Sequence, residues 1–368
     1  MGGALRVGIV GAGFISGQYS TSLSRLPQLR VTAVCDVDGE RAAALAARHP
    51  GARALALPQL LDADDVDLVL LLTLPASHAD LALAAIAAGK HVYVEKPLAL
   101  TVAEGREVVK AAAAAGLRVG CAPDTVLGTG IQTARAAVDA GRIGTPHSAT
   151  AFMTTPGHER WHPAPDFYYQ PGGGPLLDMG PYYLSALVHL LGPVVRVTGA
   201  STRPSATRTI GTGPRAGESV DVEVDSTIAG ILQHASGALS TMVMSFDVWA
   251  AELPRIEVHG TGGSLSVPDP NNFAGPVALH SASAPQDGWV DIGTTAGLRD
   301  SGRGYGVADL ALALADGRPH RAGDELGLHV LDVMESVQRA AGERTWVELT
   351  TTSARPEPVA GVQDLAAG

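Results

Sequence analysis

The sequence predicts an α/β chain: an N-terminal doubly wound parallel sheet of the Rossmann type, followed by an α+β domain with a large, mostly antiparallel sheet. Three observations carry this. Up to residue 121, short apolar runs alternate strictly with alanine-rich helical stretches. A glycine turn follows the first run, and beyond residue 123 the text becomes mostly strands broken by Gly and Pro. Continuous apolar strands linked by helices mean a parallel sheet covered on both faces. In order, Leu5–Val10 is the first strand and 17–26 the first helix. Strand 31–35 ends at Asp36, and a helix over 39–47 leads to a weak strand at 54–57. Strands at 66–72, His91–Val94 and 118–121 are separated by helices at 79–88 and Val102–Ala115. A helix at 131–140 and a strand at 148–154 then precede a Pro/Gly/His/aromatic loop over 155–175 and a helix over 176–191. Strands at 221–232, 237–248 and 255–258 and helices at 307–315 and 324–341 complete the second part. The tail is polar and expected to fray. The division read from this text is a nucleotide-binding domain over 1–122, an α+β domain over 123–350 and a tail over 351–368.

Composition narrows the function. Hydrophobic residues make up 46% of the 368, enough for sizeable cores. The net charge of −11, with no basic run, repels phosphate backbones and argues against nucleic acid as a partner. Two cysteines, Cys35 and Cys121, read as buried thiols in a reducing compartment. No apolar stretch is long enough to span a bilayer, and the glycine-broken start does not read as a signal h-region, so a soluble, cytoplasmic protein is expected. Aromatics are only 4% of the chain, yet seven of them fall between Phe152 and Tyr183.

Gly11, Ala12, Gly13, Phe14, Ile15 and Ser16 follow the first strand and open a helix. The first glycine allows the turn, the second lets a pyrophosphate approach, and the helix N-terminus offers N–H groups to the anion. Ser16 stands where the fingerprint has a third glycine. Asp36, 20 residues further on at the end of the second strand, is placed to accept ribose hydroxyls and to repel a 2′-phosphate. NAD is therefore expected, with NADP disfavoured. The carboxyl ends of the next strands carry Thr73, Leu74, Pro75 and His78, then Glu95 and Lys96. These ends form the ligand edge of an open α/β sheet. An amine ending a buried apolar strand is either paired, with Glu95 for instance, or functional.

Four segments quoted together are distinctive: Gly-x-Gly-x-x-Ser from Gly11, Cys-Asp-Val-Asp-x-Glu-Arg-Ala from Cys35, Thr-x-Pro-x-x-His from Thr73, and Ala-Gly-Lys-His-Val-x-x-Glu-Lys-Pro from Ala88. With Gly-Gly-Gly-Pro-Leu-Leu-Asp-Met-Gly-Pro-Tyr from Gly172, they resemble the Gfo/Idh/MocA oxidoreductases, named for glucose–fructose oxidoreductase and inositol dehydrogenase. The resemblance implies a Rossmann domain, an α+β domain whose open sheet often serves a homo-oligomer (dimer or tetramer), and a substrate held over the nicotinamide. It implies that Lys96 binds the reacting oxygen and that Asp178, with the residue one helical turn later, faces the substrate. Many relatives have His at that later position, whereas this chain has Tyr182, as glucose–fructose oxidoreductase and the dimeric dihydrodiol dehydrogenases do. A phenol is a poor base at neutral pH, and a nearby ammonium favours its phenolate. Asp124 stands where many relatives have an Arg-rich stretch, and is expected to accept sugar hydroxyls.

His158-Glu-Arg-Trp-His162 satisfies the zinc-peptidase pattern literally. Prolines on both sides argue against the helix that the pattern needs, so no metal is expected. The stretch reads instead as a substrate loop. Trp161, Phe167, Tyr168 and Tyr169 supply flat apolar faces for a sugar ring, and His158 and His162 meet its hydroxyls. The leading expectation is an NAD-dependent dehydrogenase acting on a secondary hydroxyl or ketone of a sugar, glycoside or cyclitol. The catalytic residues are then Lys96, Asp178 and Tyr182. The alternatives are an NAD-dependent glycoside hydrolase working by transient oxidation, and a non-catalytic sugar- or nucleotide-sensing regulator.

Overall fold

The computed structural model describes residues 3–367 and divides into two compact units. The first unit comprises 1–129, 296–328 and 356–368, and the second 130–295 and 329–355.

The first unit opens with β1 (Leu5–Val10), α1 (Ser16–Leu23), β2 (Leu29–Cys35), α2 (Gly39–Ala46), β3 (Arg53–Ala54), α3 (Leu57–Leu61), β4 (Leu68–Leu71), α4 (His78–Ala87), β5 (His91–Val94), α5 (Val102–Ala115) and β6 (Val119–Cys121). The strands form one parallel sheet in the order β3-β2-β1-β4-β5-β6. Most strand residues from β1 to β6 are buried, as continuous apolar strands under helical layers require. Register does the positioning. Val10 pairs with Cys35 and Leu71, Leu71 with Val94, and Val94 with Cys121. The residues just beyond these strand ends, Gly11, Asp36, Thr73 and Glu95, therefore emerge on one edge. The order reverses between β1 and β4, the switch point where such sheets take ligands. One difference from expectation is local: residue 57 starts α3 rather than ending a strand, because Pro58 suits the first turn of a helix.

The second unit carries α6 (Thr129–Asp139), β7 (Pro146–Thr154), α7 (Pro175–Leu191), β8 (Val194–Thr202), β9 (Thr207–Thr209), β10 (Ser219–Asp221), β11 (Thr227–His234), β12 (Leu239–Ser245), β13 (Ile256–Gly260), β14 (Gly263–Val267), β15 (Ala278–Ser281) and β16 (Val290–Asp291). After β17 (Gly297–Leu298), α8 (Tyr305–Asp316) and α9 (Asp324–Glu343), the chain ends with β18 (Val347–Glu348) and β19 (Val362–Gln363). Nine strands form a sheet in the order β16-β15-β14-β13-β7-β12-β11-β8-β18. Only β7 with β12 is parallel in it. Alternation along β7, β11 and β12 buries Ala149, Ala151 and Met153, Ile228 and Leu232, and Met242 and Met244 on one face. The buried length of α7 packs against those three strands.

Two stretches depart from the linear division. Residues 296–328 belong to the first unit, not to the α+β domain, and the expected frayed tail is tied down there. β19 pairs with β17, and the Gln28 amide donates to the Leu365 carbonyl at 2.9 Å. Among the described residues, no helix is long and apolar enough to cross a membrane.

Candidate active site

The expected residues fall into two sets, one on each unit. On the first unit, the edge built by β1, β2, β4 and β5 has the shape and donors that a dinucleotide needs. Gly11 sits at φ 104°, and a Cβ there would lie 2.7 Å from the Leu72 carbonyl carbon and oxygen, so only glycine fits this crossing. A Cβ on Gly13 meets nothing within 4 Å, leaving the loop's outer side open. The N-terminus of α1 has no acidic residue in its first turn and no side-chain cap, which suits an anion beside it. Ser16, in the third-glycine place, is buried and donates to the Gly13 carbonyl at 2.7 Å. The Asp36 carboxylate ends β2 and accepts from the Ala12 N–H at 2.6 Å and the Asp38 N–H at 2.8 Å, which ties it to the glycine loop. Phe14, Val37 and Leu74 stand exposed along this edge, unusual for large apolar side chains and suited to the walls of a nucleotide slot.

The loops after β4 and β5 are tied together. The His78 ring is fully buried, with Nδ1 2.7 Å from the Pro97 carbonyl and Nε2 3.1 Å from that of Thr73. Burial pulls its imidazole below the ordinary value. Expected among the cofactor residues, its side chain instead joins the two loops that present Thr73, Leu74 and Lys96. Glu95 is buried too. Its Oε1 accepts the Tyr19 hydroxyl at 2.8 Å, and its Oε2 accepts the Lys96 backbone N–H at 2.9 Å. Tyr19, which pattern reading passed over as a helix residue, thus fixes the backbone from which Lys96 projects. Asp124 departs from expectation. It is fully buried, and its Oδ2 accepts the Gly304 and Gly306 amides, at 2.7 and 3.0 Å, at the N-terminus of α8. Burial raises its carboxyl, opposed by Arg303 and by those two amides. The carboxylate caps a helix, which leaves it poorly placed for sugar hydroxyls.

On the second unit, Asp178 lies in the first turn of α7, where the helix dipole favours a carboxylate, and Tyr182 follows one turn later. The far end of α7 is held by cations. Arg135 donates to the His189 carbonyl at 2.8 Å, and Arg355 donates to the same oxygen and to Asp139. The loop before α7 folds back on Asp178. His158 Nε2 lies 3.0 Å from Asp178 Oδ2, and the imidazole packs 4.3 Å from the Phe246 ring and 4.6 Å from that of Tyr168. The zinc-like pattern is dismantled by this geometry. His158–Arg160 form only a short 3-10 turn, and His162 Nδ1 accepts the Ala164 N–H. The intervening Glu159 is buried between the Tyr169 hydroxyl and Arg208. Burial lowers the His162 imidazole.

The aromatic residues divide. Trp161 and Phe167 are exposed, at 53% and 42%, and can take a ligand face. Tyr169, expected to line the substrate, is instead fully buried beneath the loop, donating to Glu159 and accepting the His158 backbone N–H. Arg208 completes this anchor through Asp247 and the Pro156 and Phe246 carbonyls. Phe246, Arg208 and Asp247 lie far from the loop in sequence, which gives no local signal for them. Trp249, with the Arg160 guanidinium 4.6 Å from its ring centre, adds another exposed aromatic face beside the loop.

Comparison with known proteins adds lineage. Residues 5–122 match a family model described as an oxidoreductase family with an NAD-binding Rossmann fold, and residues 131–266 match the GFO/IDH/MocA C-terminal domain. The chain is 30% identical to 1,5-anhydro-D-fructose reductase of Ensifer adhaerens, over 71% of this chain and 74% of that protein. It is 32% identical to dTDP-3,4-didehydro-2,6-dideoxy-alpha-D-glucose 3-reductase of Streptomyces antibioticus, over 69% of this chain and 80% of that one. A levoglucosan dehydrogenase solved in complex with NADH shares the fold, with a TM-score of 0.81 at 21% identity, covering 95% of this chain and all of that one.

Proposed function

Because this chain belongs to the Gfo/Idh/MocA family of NAD-binding oxidoreductases, whose relatives include sugar dehydrogenases and reductases, we propose that it interconverts a secondary hydroxyl and a ketone on a sugar, glycoside or cyclitol. The observation that carries the reading is on α7 and its loop: a carboxylate, Asp178, hydrogen-bonded to a buried histidine that packs in turn on Trp161, within a loop that exposes the rings of Trp161 and Phe167. Apolar faces beside a few fixed polar groups suit a ring with one C–H side and several hydroxyls.

The nucleotide edge fits a dinucleotide. Gly11, Gly13 and the amides of Phe14 and Ile15 would hold the pyrophosphate, and Asp36 the adenosine ribose. The carboxylate of Asp36 favours NAD over NADP. Thr73, Leu74 and Pro75 would line the edge beyond. When bound, the nicotinamide supplies hydride acceptance and donation. Lys96 holds the reacting oxygen, where its charge stabilises a developing alkoxide. Tyr182 takes the hydroxyl proton, while Asp178 orients the sugar from the same helix face and His162 meets a further hydroxyl. Exposed Val195, Ile231 and Leu239, on neighbouring strands of the nine-stranded sheet, support a homo-oligomer through that face.

The test is near-ultraviolet absorbance with NAD and sugars or glycosides in excess. Net NADH accumulation, abolished in Lys96→Ala and strongly reduced in Tyr182→Phe, is expected. Full turnover in both variants would remove the assigned roles. Aglycone release without net NADH would replace the reaction with redox-neutral glycoside cleavage.

A further inference from the structure

We propose that Trp161 and His158 form a positioning pair for Asp178, in which the indole N–H anchors the imidazole through Nδ1 and the imidazole aims the carboxylate. The inference rests on the sugar-oxidoreductase reading for its consequence in turnover, but not for its geometry. An indole nitrogen only donates. Trp161 Nε1 lies 3.3 Å from His158 Nδ1, so that nitrogen must present its lone pair. A neutral ring then carries its single proton on Nε2, the atom 3.0 Å from Asp178 Oδ2, and donates it there. The acceptor-only carboxylate in front and the donor-only indole behind call for the same tautomer, so both ring nitrogens are engaged and the imidazole plane is fixed between them.

The ring has little freedom to do otherwise. His158 is 7% exposed and wedged between Phe246, Tyr168 and Trp161, at centroid separations of 4.3, 4.6 and 5.2 Å. Its backbone N–H is bound to the Tyr169 hydroxyl at 3.1 Å, which the Glu159 carboxylate holds in turn. The imidazole that reaches the carboxylate comes from the loop, 20 residues earlier in the chain.

Trp161 faces two ways. Its N–H points to His158 while half of its surface remains open. A sugar seated on that open face presses the same ring that anchors the imidazole, so recognition of the sugar and alignment of the carboxylate are coupled through one side chain. His158 and Trp161 are thus positioning residues, acting on the substrate through Asp178.

The test pairs nitrogen-15 NMR of histidine-labelled protein with kinetics. The His158 resonances, assigned by their loss in His158→Gln, should show the neutral ring protonated on Nε2, with Nδ1 accepting a hydrogen bond. Trp161→Phe keeps an aromatic face and deletes the N–H. It should move the Nδ1 resonance to that of a nitrogen with no donor and lower kcat several-fold with little change in KM. His158→Ala should lose more of kcat than His158→Gln, whose amide can still donate to Asp178. A wild-type ring protonated on Nδ1, or an unchanged spectrum in Trp161→Phe, would overturn the proposal. A spectrum as expected in a protein that turns over no sugar would instead sink the functional reading while leaving the pair in place. Circular dichroism of each variant separates these outcomes from misfolding.

Discussion

His329 should make the second unit acid-labile. This residue of α9 is wholly buried; its Nε2 accepts the Val194 N–H at 3.0 Å, and its Nδ1 lies 3.1 Å from the Thr351 hydroxyl. Burial pulls its imidazole from 6.5 to about 4, with Asp332 opposing and His234 reinforcing. Protonation would also set an N–H against the Val194 N–H. Between these two values the unfolded chain binds a proton that the folded chain refuses, so stability rises with pH there. The contribution is complete above the unfolded value and is lost as pH falls from about 6.5 toward 4. A change from 6.5 to about 4, at about 1.4 kcal/mol per pH unit, amounts to about 3 kcal/mol. The perturbation is His329→Gln, whose amide oxygen can still accept the Val194 N–H but does not titrate. Urea denaturation of both proteins at intervals between pH 7 and pH 4 measures the difference. The variant should start less stable and lose about 3 kcal/mol less on acidification. His49, His78, His234 and His320 are also pulled down by burial, but they remain in both proteins and cancel. Parallel stability curves for the two proteins would refute the reasoning.

Two further substitutions test the nucleotide-binding unit. Asp36→Ala should raise the KM for NAD by about tenfold or more and leave that for NADP little changed, because a hydrogen bond to a charged group contributes about 1.5–3 kcal/mol. An equal effect on both nucleotides would remove Asp36 from ribose recognition. Asp124→Ala should lower thermal stability by about 1–2 kcal/mol, the range for a lost helix cap, with the KM for sugar unchanged. A raised KM at undiminished stability would restore the substrate role that the sequence suggested.

The nucleotide edge was legible because its information is local. Gly11 needs its freedom for a crossing built within one βα turn, and Asp36 ends the very next strand, so a short motif and a spacing locate both. The Glu95-Lys96 pair was visible for the same reason, at the end of an apolar strand. The reading also held for the alternation of strands and helices, whose register places those residues on one edge. Asp124 shows the opposite case. A carboxylate after the sixth strand looks available in the sequence, but the helix that it caps lies 180 residues later. The return of 296–328 and of the last residues to the first unit escaped the linear reading likewise, since backbone pairing between β17 and β19 leaves no mark in either segment.

The sequence by itself determined the fold class, the family and the residue types available for nucleotide and sugar chemistry, because apolar periodicity and turn motifs act over a few residues. Tertiary structure alone decided what each polar group does. Whether Glu95 takes up Tyr19's hydroxyl, whether Tyr169 faces a ligand or lies beneath the loop, and which histidine meets Asp178 all depend on partners brought from distant segments. A buried polar group must find a partner wherever packing brings one. That partner, rather than the residue's own identity, fixes its role.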